Sequence, residues 1–332
     1  MGNGRVPLAM LVGIRRRAMA VALLNVLCTV AVAQQEYPSQ PIRIIVPFPP
    51  GGSNDIIARA LAFRLTDPLG KPVVVENKAG AGGVIGSEFV ARATPDGHTL
   101  LFSSSTFSVT AAVRKLPYDP IGDFTAVASI GRGPMMIVVH PSVPAHSINE
   151  LVALVRAKPG QFNYGTPGPG SINHLGMELF AYATKLSVTH VPYKGIAPAV
   201  NDTVSGQLQI SMASLPSAYQ FVRAGKLRAL AVTGDKRIPS ASDIPTLAES
   251  GITGSKVELR WGVLAPAKTP RAVVQRLNSE IVKAIGGKEI REMLEREGAE
   301  ITPIRPDEFQ LDIVREIEMW RAFAERAGLK IE

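Results

Sequence analysis

Short apolar runs alternate along this chain with stretches whose apolar positions recur at helical spacing. Ile42, Ile44, Ile45 and Val46 make the first run, which stops at Pro47. Pro49, Pro50, Gly51 and Gly52 then turn the chain. Ser53, Asn54 and Asp55 are helix-start residues, and Ile56, Ile57, Ala60, Leu61 and Leu65 follow at helical spacing. The pattern predicts strand, rigid loop, helix. Further on, residues 71–76 and 99–102 read as short buried strands, with a glycine-rich turn at 79–86 and a helix at 87–92 between them. The second of these strands ends on a polar run, Ser103, Ser104, Ser105 and Thr106.

The alternation continues. Strands are expected at 135–139, 162–164, 188–191, 209–212, 228–232 and 257–264. Helices are expected at 148–157 behind a Ser147 cap, and at 172–183, 199–205 and 217–224. Three more helices, at 270–285, 288–297 and 306–328, make an all-helical tail. Such an order predicts an α/β fold with a mostly parallel sheet and helices on both faces. The chain reads as two lobes, 34–138 with 263–332 and 139–262, joined by extended crossings near Val139 and Trp261. Ligands in open α/β sheets sit beyond the carboxyl ends of the strands. The loops at 47–55 and 103–106 both lie at such ends.

The first 33 residues stand apart. Arg5 and Arg15 to Arg17 form a basic start, 18–32 is apolar, and Ala31-Val32-Ala33 precedes Gln34. This is the pattern of a cleaved secretory signal, and its apolar part is too short to span a bilayer. Leu27 stands before Cys28 where a lipoprotein signal needs a small residue, so lipidation is not expected. Loss of the segment takes the net charge from +8 to +4. It also removes Cys28, the chain's one cysteine, leaving no thiol chemistry. The remaining positive excess has no basic cluster interleaved with aromatics, which argues against a nucleic-acid partner. A mild positive field favours small anions.

Chemistry is then a matter of loops. A glycine-rich turn at a helix start leaves backbone N–H groups free at the positive end of the helix dipole, an anion site that needs no Lys or Arg. The plainer reading of 47–55 is an ordinary strand-to-helix connection. The logic recurs, however, at 165–171, where Thr166, Gly170 and Ser171 precede a helix, and two such loops facing each other would hold one small anion. Gly80, Gly82 and Gly86 resemble a dinucleotide fingerprint but with the wrong spacing, and fit tight turns better. No phosphate loop, nucleophile elbow or zinc-binding histidine spacing occurs. Ser171 is better placed to cap its helix than to act as a nucleophile with His174 as its base. Lys194 ends a strand and could meet a carboxylate, though a solvated lysine is the plainer reading.

Taken together, the segments VPFPPGGSNDIIAR, VENKAGAGGVIGS, YGTPGPGSINHL, VPYKG, DIPTLAESG and WGVLAPAKTP resemble, in order, the Bug-type extracytoplasmic receptors of tripartite tricarboxylate transporters. The resemblance runs over essentially the whole chain after the signal. It implies a two-lobed periplasmic binding protein, type II-like, with two mostly parallel or mixed sheets and a two-strand hinge. It implies a monomer in the periplasm that binds a small carboxylate, uses no cofactor or metal, catalyses nothing, and hands its ligand to inner-membrane transporter subunits. A sensor feeding a signalling partner is the alternative, and an enzyme on a related fold is a third. The ligand-holding residues carried over are Phe48, Gly52, Ser53, Asn54 and Asp55; Ser104 and Thr106; Thr166, Gly170, Ser171 and His174; and Tyr193, Lys194, Gly195 and Ala197. The chain departs from the family at 207–214 (QLQISMAS), where many relatives carry an acid. A ligand ammonium would lack its partner there, so amino acids are not the expected ligands.

Overall fold

A computed structural model describes residues 37–296 and 298–329, together with Gly2. The expected signal segment lies outside the described residues. The first run becomes β1 (Ile42–Val46), with both faces covered. It pairs in parallel with β2 (Val73–Asn77) on one side and β3 (Thr99–Ser104) on the other. A central strand of a parallel sheet is covered on both faces, which is why it reads as a continuous apolar run. β2 is an edge strand, and its Val74 is exposed. The helices α1 (Ser53–Leu69) and α2 (Val84–Ala91) follow β1 and β2.

β4 (Phe124–Val139) is the long element of the fold. Its first part, as far as Pro134, runs antiparallel to β9 (Glu258–Pro266), which is itself antiparallel to β3. Beyond Pro134 the strand changes partners. Met135–Val139 pairs antiparallel with β7 (Ile210–Ser214) and with β8 (Arg228–Val232). β7 continues in parallel to β5 (Asn163–Thr166), and β5 to β6 (Thr189–Pro192). The order is β2-β1-β3-β9-β4-β7-β5-β6, and a short β10 (Glu300–Ile301) also joins β4. Each wing of this curled sheet has its own core. One gathers Ile45, Leu101, Phe107, Phe124 and Ile313. The other gathers Met136, Val138, Leu215, Val232 and Ile238. Residues 40–332 nonetheless form one compact unit.

The sheet is mixed, as the type II-like fold implies: β9 runs antiparallel to β3 and β4, and β4 antiparallel to β7. One expectation needs correcting. The early part of β4 was not expected to be a strand, because Ser129, Gly131, Arg132 and Gly133 break the apolar pattern. Gly131 and Gly133 have a packing reason. A Cβ there would lie 2.5 Å from the Glu300 carbonyl oxygen and 2.9 Å from that of Gly298.

The remaining helices are α3 (Ser105–Val113), α4 (Ile148–Ala157), α5 (Ile172–Thr184), α6 (Ile196–Val204), α7 (Leu215–Arg223), α8 (Arg271–Gly286), α9 (Lys288–Arg296) and α10 (Pro306–Ala327). α4 and its Ser147 cap stand where expected, the Ser147 side chain accepting from the Glu150 N–H. The polar run expected as a loop at 103–106 is split between the end of β3 and the start of α3. The first six residues of α3 are all buried, so no one-sided apolar stripe marks it in the sequence. α10 lies over α3 and β4 and presents Phe309, Ile313, Ile317, Trp320 and Phe323 to the core. Among the described residues no helix is long and apolar enough to cross a membrane.

Candidate functional site

A cavity of about 470 Å³, counting its mouth, lies between the two wings. Its walls are the first turns of helices. Gly52, Ser53, Asn54 and Asp55 come from the start of α1, and Ser104 and Thr106 from the start of α3. Ile172 and Asn173 open α5, Gly195, Ile196 and Ala197 open α6, and Ser214 caps α7. Phe48, Pro49, Pro167 and Leu259 complete the lining, and no Lys or Arg contributes. The N–H groups of Ser53, Asn54, Asn173, Ile196 and Ala197 find no acceptor among the described residues. Five positive dipole ends and several free donors therefore converge on one small space, a field that favours an anion.

The loop before α1 is held rigid from behind. Asp55 accepts from the Gly51 N–H at 3.1 Å, from Asn77 at 2.9 Å and from Arg59. Burial opposes its ionisation, but hydrogen bonds from Arg59, Asn77 and Gly51 outweigh burial and hold the pKa below 3.8. Asn77 also donates to the Phe48 carbonyl at 2.9 Å. The carboxylate is thus spent on the loop. Gly51 adopts φ +91°, a conformation that a side chain rarely allows. Gly86 packs against this loop, where an added Cβ would sit 2.9 Å from Pro47. The glycines at 80–86 are therefore packing and turn residues.

Direct contacts bridge the cleft. Thr106 Oγ1 accepts the Ile172 N–H at 3.3 Å, and Thr110 Oγ1 donates to the Gly170 carbonyl at 2.9 Å. Gly195 lies so close to Pro49 that a Cβ there would be 2.8 Å from its Cδ. The two walls are thus in direct contact beside the cavity.

Of the residues expected in the site, Phe48, Gly52, Ser53, Asn54, Asp55, Ser104, Thr106, Gly195 and Ala197 line the cavity. Six others do not. Thr166 is fully buried, its Oγ1 paired with His190 Nε2 at 2.6 Å and with the Gly168 N–H. Ser171 caps α5, accepting from the His174 N–H and donating to the Gly168 carbonyl. Gly170 turns the loop at φ +75° and packs on Arg114. His174 Nδ1 accepts the Gly170 N–H, and its ring stacks on His190. Tyr193 donates to Asp202 at 2.6 Å, and burial with that carboxylate pushes its pKa to about 12. Lys194 is exposed. The first five belong to the frame behind the α5 and α6 starts.

Burial lowers His174 to about 3, with His190 adding repulsion, and lowers His190 to about 4. Tyr164 donates to Glu178 at 2.5 Å beneath them, and burial raises its pKa. Sequence reasoning missed Pro167, Ile172, Asn173, Ser214 and Leu259 as lining residues. Ser214 carried a signal, a serine shortly before Pro216 at a strand-to-helix junction. Leu259 carried none. Among the described residues no His, Cys, Asp and Glu cluster could hold a metal.

Residues 57–329 match the sequence profile of the Tripartite tricarboxylate transporter family receptor. The chain belongs to that family. BugT of Bordetella pertussis is 36% identical to this receptor over 304 residues, spanning 91% of this chain and 93% of BugT. Among solved structures, an R. palustris protein with adipate superposes with a TM-score of 0.85 at 35% identity, covering 89% of this chain and 99% of its own. MatC from Rhodopseudomonas palustris with bound malate superposes at 0.81 and 30% identity, covering 86% and 99%. The receptor's fold is that of the two-lobed periplasmic binding proteins.

Proposed function

We propose that this receptor binds a small carboxylate in the cleft between its wings and delivers it, in the periplasm, to the membrane subunits of a tripartite tricarboxylate-type transporter. The observation that carries the reading is the convergence of five helix starts on a cavity without a cationic side chain. The solved relatives with adipate and malate support the ligand class. A micromolar ligand needs about 8 kcal/mol. Helix termini at roughly 0.3–1 kcal/mol each supply less than that. Hydroxyl and amide hydrogen bonds, with water excluded on closure, make up the rest.

The working parts of the proposal are Phe48, Gly52, Ser53, Asn54, Ser104, Thr106, Gly195 and Ala197 as contacts, with Asp55 shaping the loop. Thr166, Gly170, Ser171, His174 and Tyr193 act as the frame of the opposite wall, and Lys194 stands exposed near it. The lobes are taken as 34–138 with 263–332, and 139–262. The change of β4 partners after Pro134 supports a joint close to that boundary. The receptor works as a monomer, and residues 1–33 direct its export.

A thermal-shift panel of mono-, di- and tricarboxylates tests the reading. A true ligand at a hundredfold excess over Kd stabilises the folded state by about 2.7 kcal/mol. Stabilisation by a sugar or a cation, with no response to any carboxylate, overturns it.

A further inference from the structure

The fold fixes which way the Asn173 amide points. Asn173 is only 6% exposed, and its Nδ2 donates to the Met212 carbonyl at 2.7 Å. A carbonyl accepts only, so the NH2 end of the amide must face Met212, a residue in the middle of β7. The Oδ1 end is left with no partner among the described residues, on a side chain that lines the cavity. Asn54, across the cleft, carries less information. Its Nδ2 meets the Ser104 hydroxyl at 3.2 Å, and a hydroxyl takes either role. The N–H donors of the helix starts thus share the cavity with an amide oxygen that can only accept.

We propose that Asn173 is a specificity-determining residue and that the ligand is a hydroxy acid, whose hydroxyl donates to Asn173 Oδ1 while its carboxylate takes the helix starts. This rests on the carboxylate reading above. A buried acceptor left unmatched is costly, so a ligand without a donor is penalised at this point. An ammonium would also donate, but it carries a charge into a site ringed by positive dipole ends. Asp55 is the only acid that lines the cavity, and its oxygens are taken by Gly51, Asn77 and Arg59. A hydroxyl supplies the donor without the charge.

The test uses matched acids that differ at one carbon: propionate, lactate and alanine; succinate, malate and aspartate; glutarate, 2-hydroxyglutarate and glutamate. Affinities for the full chain are measured by titration calorimetry, taking the better enantiomer of each. In the series that binds, the hydroxy acid is expected to be about threefold to tenfold tighter than the unsubstituted acid, as for one neutral hydrogen bond, and the amino acid weakest. In N173A the gap between hydroxy and unsubstituted acids closes to within about twofold. If the hydroxy acid binds no tighter than its unsubstituted partner, or the amino acid binds best, the inference falls while the carboxylate reading stands. If a folded N173A keeps the full preference, the residue assignment falls. If no carboxylate binds in any assay, both fall together. Should N173A fail to fold, the wild-type comparison alone decides.

Discussion

The imidazoles of His174 and His190 stack with their centroids 4.0 Å apart, behind the loop that forms one wall of the cleft. The Tyr164 ring lies 5.2 Å from His190 and stacks with it. Two rings this close and this buried cannot both accept protons cheaply. Both stay neutral in the folded protein until the pH nears 4, whereas the unfolded chain protonates them near 6.5.

The sign follows from proton uptake on unfolding. Above pH 6.5 neither state binds the protons and the pair has no effect. Below it the unfolded state binds more, so stability falls as the pH drops from about 6.5 toward 4. For His174 the loss reaches about 2 kcal/mol at pH 5. Urea unfolding at pH 7, 6 and 5 reads this directly. H174Q, which removes one titrating ring, is expected to flatten the slope. An unchanged slope would assign the acid sensitivity elsewhere.

The Thr110 hydroxyl tests closure without touching the cavity. It is buried and reaches across to the Gly170 carbonyl at 2.9 Å. T110V keeps the shape and deletes the bond, leaving a buried carbonyl unmatched in the closed form alone. Ligand affinity is expected to fall about threefold to tenfold through the closed population. Stopped-flow kinetics should place the change in dissociation, and scattering of the ligand-free protein should show a larger mean radius.

Two serines that looked alike in the sequence are expected to behave differently. Ser53 faces the cavity, with its N–H free of any acceptor among the described residues. Ser171 is fully buried and spends its hydroxyl on the α5 cap and on Gly168. S53A should weaken binding with little change in melting temperature. S171A should cost about 1 kcal/mol of stability, as for loss of a helix cap, with binding affected only secondarily. Calorimetry and thermal melts on the same two proteins separate these outcomes.

Salt gives a fourth check. With no Lys or Arg in the lining, the ligand's charge meets fixed dipoles inside a closed cavity, which mobile ions screen poorly. Raising NaCl from about 0.05 to about 0.5 M should change Kd by less than about threefold. A tenfold or greater loss would mean that exposed cations such as Lys194 take part in binding.

Much of this site could be read from local sequence. A strand, a Pro/Gly turn and a run of helix-start residues are short-range features, and the loop at 47–55 needed nothing else. The helix following Ser171 was legible for the same reason. What stayed hidden depends on long-range packing. α3 is surrounded on all sides, so nothing in its Ser/Thr-rich start separates it from a polar loop. The glycines of β4 look like breaks until β10 is laid against them. Ser171 and His174 have the composition of a binding site, and only the fold shows that the Ser171 hydroxyl and His174 Nδ1 are occupied by neighbouring backbone. Asn173, between them, has its amide oriented by a strand carbonyl 39 residues away, which no spacing rule could anticipate.

β4 has one more consequence. It gives its first part to one wing and its last five residues to the other without a break. Cut at Pro134, either half would expose a row of unpaired backbone groups on a strand that should be interior. The wings are therefore not separable modules. They should melt in one cooperative transition, and a fragment carrying either alone should aggregate rather than fold.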